Sequence, residues 1–457
     1  MLSRFREAVV PAYLFLCLLL GGSAQGIWVN AALQLLAVAI IAWVAIAPEQ
    51  RQPTVSAKRL LLIACLALLL VAVQLIPLPP AVWSKLPGRE LVTSGYDLLG
   101  QPLPWLPIAL VPDEALTNLL RLLPPIAILA AMLRLEAYRS SWLAWALVAG
   151  TSAGVLLGAL QVTSGAGTES PWYLYPISNY GTATGFFANG NHMAILLVAT
   201  IPFLFAILAR ARRDRGSKAL QRRSAMVALT AGMLVVLLLG LALNGSLAGF
   251  GLGLAVLAAS VLLLLKPERQ RRWLVAPALL LLVAIGAIFT LPVSARLQSL
   301  DAGTSVETRR AVTTTAWEAT REFMPVGSGV GSFEKVYRLS ENPAAVDRTF
   351  VNHAHNDYLE IALETGLPGV ILMLLLLGWW AWSAWGRWSE PQGDPFARAA
   401  TIASAAILAH SLVDFPLRTS AMAGVFAVAI ALIAQSRLRV AARTESDLWP
   451  SRHVEIR

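Results

Sequence analysis

The sequence is poor in charge: only 14% of its 457 residues are Asp, Glu, Lys or Arg, against 57% hydrophobic. That balance excludes an ordinary water-soluble domain, which needs far fewer apolar residues to fill a core. Cysteine is almost missing as well. Cys17 and Cys65 each sit inside an apolar run, which argues against a disulfide framework or a cysteine metal site and for small packing residues. Internal repeats and low-complexity tracts are lacking. The apolar segments also lack the series of ionisable residues that marks an ion or proton path, which disfavours a channel or a coupled transporter.

Apolar segments of about 17–22 residues, the length that crosses a bilayer, lie near 9–25, 27–46, 60–77, 116–132, 142–162, 191–209, 225–243, 247–265, 273–292, 367–385, 398–413 and 420–436. They predict an all-α polytopic membrane protein of about twelve transmembrane helices. The run ending in "GSAQG" has small residues before Gln25, as a cleavable signal does, but a second span follows at once, so an uncleaved first helix is expected.

The formal charge of +10 does not call for nucleic acid. With the amino terminus inside, 25 of the 36 Lys and Arg fall on segments of one side, "PEQRQPTVSAKR", "RARRDRGSKALQRR" and "KPERQRR" among them. Basic residues collect on the cytoplasmic side of a membrane protein. The predicted organisation is then helices 1–9 over residues 1–292 with external loops 78–115 and 163–190, a large external loop 293–366, helices 10–12 over 367–436, and a cytoplasmic tail 437–457.

A connection as long as 293–366 exceeds the roughly 15 residues beyond which loops are usually functional. Within it, "ETRRAVTTTAWEATREFM" (307–324) predicts an amphipathic helix, with Val312, Ala316, Ala319 and Phe323 along one side. "PVGSGVGSF" follows. Its glycines fit a turn between helices, with an anion-binding backbone nest as the sharper alternative.

Then comes "VNHAHNDYLEIALETGLPG", which holds two of only five histidines. Asn356 suits a helix N-cap, Asp357 a first turn, and Gly366 with Pro368 a stop. His355 stands just ahead of a helix amino terminus, a place attractive to phosphate and to an uncharged, proton-accepting imidazole. Three readings compete: a catalytic base at His355, histidines that bond loop backbone, and a metal site built on the H-x-H-x-D spacing of His353, His355 and Asp357. A zinc site needs more ligands than this stretch offers, so no metal is expected.

Two further polar clusters lie at external span ends. In "GTATGFFANGNHMAIL", Asn189, Asn191 and His192 read as an aromatic belt with an N-cap at Asn191, or as a polar wall for sugar hydroxyls. In "HSLVDFPLRTS", His410, Asp414 and Arg418 read as a capped turn.

Taken together, "RRAVTTTAWEATREFMPVGSGVGSFEKVY" and "NHAHNDYLEIALETGLPG" resemble the large periplasmic loop of the bacterial O-antigen ligase and polymerase superfamily. "GFFANGNHMA" resembles that family's entry into a middle span, and "QLIPLPPAVWSKLPGR" its early periplasmic loop. The resemblance implies a GT-C-like fold in the bacterial inner membrane. It implies a glycosyltransferase without cofactor, inverting and metal-independent, working on the periplasmic face.

The implied donor is a glycan on undecaprenyl diphosphate, and the implied acceptor lipid A–core or a growing glycan. Ligase action is the first expectation. Repeat-unit polymerase action is its near alternative, with protein O-oligosaccharyltransferase and non-enzymatic transport behind. On the family pattern His355 is the base and Arg310 holds the donor diphosphate, with the neighbouring Arg309 as substitute. One departure stands out. Where ligases often carry Arg beside Ser at the start of an outer-facing span, Leu247 follows Ser246, so compensation would fall to Arg309, Arg321, Arg338 or Arg348. His353, Asn356, Asn189, Asn191 and His192 complete the candidate substrate-binding set.

Overall fold

The computed structural model describes residues 2–23, 28–48, 52–164, 170–213, 219–265, 279–280, 283, 303–341, 351–391 and 393–435, with the backbone alone for 2, 3, 219 and 303–310. The expected span 273–292, apart from three residues, lies outside these, as do Arg348 and the tail 437–457.

The described residues form helices and no strand; one isolated bridge joins Leu78 to Leu106. Eight helices among them are long and apolar enough to cross a membrane. These are α2 (Trp28–Ile46), α3 (Val55–Gln74), α6 (Pro112–Arg121) running into α7 (Leu123–Leu135), α8 (Ser140–Thr163), α9 (Gly190–Arg213), α10 (Ala219–Asn244), α11 (Leu247–Val261) with its 3-10 continuation to Leu264, and α14 (Asp357–Ser389). The all-α multi-pass expectation is met by eight such helices among the described residues. Helices α1 (Leu2–Leu20), α15 (Pro395–His410) and α16 (Ser420–Gln435) coincide with other expected spans, but α15 and α16 have 16 residues each and α1 opens on Arg4, Arg6 and Glu7.

Helix α9 is the axis of the bundle. Every residue from His192 to Ala209 is buried, as a helix apolar on all sides must be, and α10, α11 and α15 pack around it. On α3, by contrast, Leu62, Leu66 and Leu69 are exposed, the surface of a helix that meets lipid.

The loops separate to two ends. At one, Thr54 donates to the Ala434 carbonyl, Gln435 to Met132 and Arg213 to Gly393. This end carries the basic connections. At the other, Ala421 N–H donates to Gly21, Ala188 to Gly22, and Asp357 to Ser411.

At that second end the segments 78–115 and 303–341 fold onto each other. They contribute the short α4 (Pro80–Trp83) and α5 (Glu90–Leu98), then α12 (Gly303–Phe323) and α13 (Phe333–Ser340). As its spacing predicted, α12 buries Val312, Ala316, Ala319 and Phe323. Arg89, fully buried, donates to the Ile108 carbonyl and lies over the Phe323 ring. Gln74, at the end of α3, joins both layers: its amide donates to the Glu364 carbonyl and accepts from Val330 N–H.

Helix α14 is bent where Gly366 takes φ 60° and ψ −154°. The cause is contact. The loop 325–331 presses on the bend, and a Cβ on Gly366 would overlap the Pro325 carbonyl oxygen and lie 2.7 Å from Gly327 N. Gly366→Ala is therefore expected to lose at least about 1–3 kcal/mol from backbone strain alone. A melting temperature in detergent equal to the wild type would contradict it.

Candidate active site: a carboxylate-paired histidine at the mouth of the bundle

The first turns of α14 carry acids at i, i+3 and i+7: Asp357, Glu360 and Glu364, all buried. Helical periodicity puts them on one face. Asn356 caps this helix, its side-chain oxygen accepting from Tyr358 and Leu359 N–H, and Tyr358 Oη donates to the Leu408 carbonyl of α15. The acids meet one guanidinium. Arg418, on the 3-10 turn Pro416–Arg418, lies 3.2 Å from Glu360, 3.2 Å from Glu364 and 3.7 Å from Asp357. Although burial acts against its charge, Glu360, Glu364 and Asp357 push the Arg418 pKa up, so it stays a cation.

Other donors complete each carboxylate. Ser411 donates to Asp357 at 2.8 Å, Ala354 N–H to Glu360 at 3.0 Å, and Gly331 N–H to Glu364 at 2.9 Å. The glycine loop thus serves as a turn whose N–H groups are already taken, Gly329 by the Glu364 carbonyl and Gly331 by its carboxylate. It does not stand open as a nest for an outside anion.

Above this floor stand the two loop histidines. His353 Nδ1 is 2.8 Å from Glu360 Oε1, and His355 Nδ1 is 3.3 Å from Asp414 Oδ1. Both rings, with His192, surround Phe415, at centroid distances of 4.1, 5.1 and 5.1 Å. His355 has φ 50°, a left-handed conformation that non-glycine residues seldom hold. Its side chain is 29% exposed while Asp414 is buried.

Burial would raise the Asp414 pKa, but the hydrogen bond from His355, the His410 ring 3.7 Å away and the neighbouring imidazoles hold it well below the usual carboxylate range. An ionised carboxylate only accepts hydrogen bonds, so His355 carries its proton on Nδ1. Its Nε2 has no partner among the described residues. The ring therefore faces a carboxylate as well as the helix end, and offers Nε2 as a proton acceptor.

The other sequence expectations divide. The H-x-H-x-D residues are drawn to separate partners, His353 to Glu360, His355 to Asp414 and Asp357 to Ser411; among the described residues no three His, Cys, Asp or Glu side chains are placed to share a metal. Asn189, not Asn191, caps α9, accepting from Asn191 N–H at 2.8 Å, because the helix begins two residues earlier than a cap at Asn191 implies. Asn191 accepts from Ser246 Oγ at 2.9 Å, tying α9 to α11. Buried His192 packs between Phe187 and Phe415, which suits a floor under the histidines better than a wall for sugar.

Arg309 and Arg310 lie in the first half of α12. Arg321 is on its exposed side, and Arg338 pairs with Glu334 at 3.1 Å. Asp414 and Arg418, expected to form only a capped turn, instead complete the site. Phe415, Glu360 and Glu364 also escaped the sequence reading. The acidic 357/360/364 stripe was its one available signal.

The fold and site together define a multi-pass membrane protein with a carboxylate-paired histidine at one mouth. Residues 232–374 match the family model described as O-antigen ligase, which supports the resemblance to the O-antigen ligase and polymerase superfamily and to polysaccharide and lipopolysaccharide biosynthesis. The matched segment contains Arg310, His353 and His355 and ends before Asp414 and Arg418. No protein of curated function matches the chain.

Proposed function

We propose that this protein transfers a glycan from undecaprenyl diphosphate to a sugar hydroxyl at the periplasmic face of the bacterial inner membrane, with lipid A–core as acceptor. The observation that carries the chemistry is the Asp414–His355 pair. Its Nε2 takes the proton of the acceptor hydroxyl as that oxygen bonds to the anomeric carbon; the bond from that carbon to phosphate breaks, and its electron pair leaves with undecaprenyl diphosphate. One displacement inverts the carbon, and no metal or cofactor enters the step. Asp414 stabilises the imidazolium that results. The periplasmic placement rests on the excess of basic residues in the loops of the opposite end, and a GT-C-like arrangement of about twelve spans accords with that reading.

Electrostatics separates the two substrates. Three carboxyl groups line the floor against the single cation Arg418, with Asp414 beside them, and this acid excess disfavours a diphosphate there. The leaving group then needs cations from above, and Arg310 on α12 is assigned that role because a planar guanidinium binds two phosphate oxygens. Repeat-unit polymerase action is the second reading, supported by Leu247 following Ser246, where a ligase-type arginine would stand.

The test is transfer by purified protein from lipid-linked glycan, together with surface polysaccharide after gene deletion. Unlinked long chains support the ligase and single repeat units the polymerase; an intact lipid linkage in vitro would refute both. In the same assay Arg310→Lys is expected to lose about tenfold or more despite keeping the charge. Should Arg310→Ala transfer normally while Arg309→Ala does not, the clamp belongs to Arg309.

A further inference from the structure

A groove of ≈ 530 Å³ runs between α3 and α14 at the end of the bundle opposite the histidines. Its walls are fixed: Ser56 and Ser383 share a hydrogen bond of 2.9 Å, and Trp379 Nε1 donates to the Ser56 carbonyl at 3.0 Å. Towards the middle of the bundle it is lined by Leu62, Leu66 and Leu375, all exposed to the surroundings of the helix pair. At its end stand Arg59 and Arg387. Arg387 is held 3.0 Å from Glu390. Arg59, one turn inside α3, is exposed and has no partner among the described residues. Trp382, 76% exposed, stands beside them.

We infer that this groove is a binding site for an anionic phospholipid of the cytoplasmic leaflet. The observed features correspond to the parts of such a lipid. An apolar trough at membrane depth takes acyl chain. A tryptophan at its end suits the headgroup level, where aromatic residues concentrate. The guanidinium of Arg59 fits phosphate through paired hydrogen bonds, and basic pockets between transmembrane helices on the cytoplasmic side bind acidic headgroups. Arg59 and Arg387 both belong to the segments whose basic excess marks that side. The trough also gives a role to an arginine on a lipid-facing helix that no carboxylate of the described residues compensates. The inference does not use the histidine site.

Purified full-length protein, exchanged in mixed phosphatidylglycerol and phosphatidylcholine vesicles and re-extracted in detergent, would show the retained lipid by native mass spectrometry. Wild type is expected to keep phosphatidylglycerol in preference to phosphatidylcholine. Arg59→Glu should lower that retention on the order of tenfold. Arg222→Glu, which removes the same charge from the same membrane end outside the groove, should not. Leu66→Trp keeps the charge, fills the trough and should also lower retention, which covers the case in which Arg59→Glu folds poorly. Equal loss in Arg59→Glu and Arg222→Glu, equal retention of both lipids by wild type, or displacement of phosphatidylglycerol by equimolar undecaprenyl phosphate would overturn the assignment.

Discussion

His355→Asn is expected to lower glycan transfer by about 10²–10⁴-fold, the usual contribution of a general base, while leaving folded protein and donor binding nearly unchanged. Asparagine is the informative substitution because His355 sits at φ 50°. Asn tolerates the left-handed region, whereas His355→Ala adds backbone strain to the loss of the imidazole. Asp414→Asn should lower transfer in the same direction but less, since an amide no longer stabilises the imidazolium. Its stability effect has a defined pH window. The Asp414 carboxyl is held below its ordinary value, so its contribution is present above the unfolded pKa of about 3.9 and disappears as pH falls through the lower folded value. Comparison of Asp414→Asn with wild type should thus show a gap that persists from pH 8 down to pH 5. Wild-type activity in well-folded His355→Asn would remove the base assignment, and inhibition of wild type by chelator would reopen a metal-dependent route.

The largest loss of stability is expected from Arg418→Met. Arg418 is the cation common to Asp357, Glu360 and Glu364, and removing one partner of a buried ion pair costs about 3–5 kcal/mol because the remaining charge is left uncompensated. The hydrogen bonds from Ser411, Ala354 and Gly331 soften the loss without replacing a charge. The folded-state pKa of Arg418 is raised, so its contribution persists at every pH below the ordinary arginine value. The destabilisation should therefore appear at neutral pH and not fade toward pH 9. Adding Glu360→Gln and Glu364→Gln to Arg418→Met should recover part of the loss, since two of the stranded charges are then gone. A melting temperature of Arg418→Met within a degree or so of wild type would mean that the cluster does not depend on this ion pair.

Much of this architecture is written locally in the chain. Apolar runs long enough to cross a bilayer follow from composition over about twenty residues, because a helix satisfies its own backbone where no water can. The asymmetric distribution of Lys and Arg supplies the expected orientation. The amphipathic helix before Pro325 and the Asn356 cap are equally local: one depends on a period of 3.6, the other on an oxygen reaching N–H groups two and three residues on. Hence His355, rare in type and placed beside that cap, could be picked out without a structure.

Its partners could not. Asp414 is 59 positions away and Arg418 54 positions from Glu364, and their own neighbourhood, a proline-bearing turn between two helices, looks complete as a cap. Only the docking of α14 against α15 and the turn after it brings a carboxylate to His355 Nδ1 and a guanidinium to the acid stripe. The same holds for Gln74, which joins Glu364 to Val330 across 290 and 256 positions, and for the bend at Gly366, whose cause is the glycine loop pressed against it. Hydrophobic period and capping act over a few residues, whereas pairing of buried charges is selected by which helices pack. The chain's local chemistry therefore identified the histidine and the membrane frame, while tertiary packing alone decided which carboxylate holds its proton in place and which cation allows that carboxylate-rich floor to be buried.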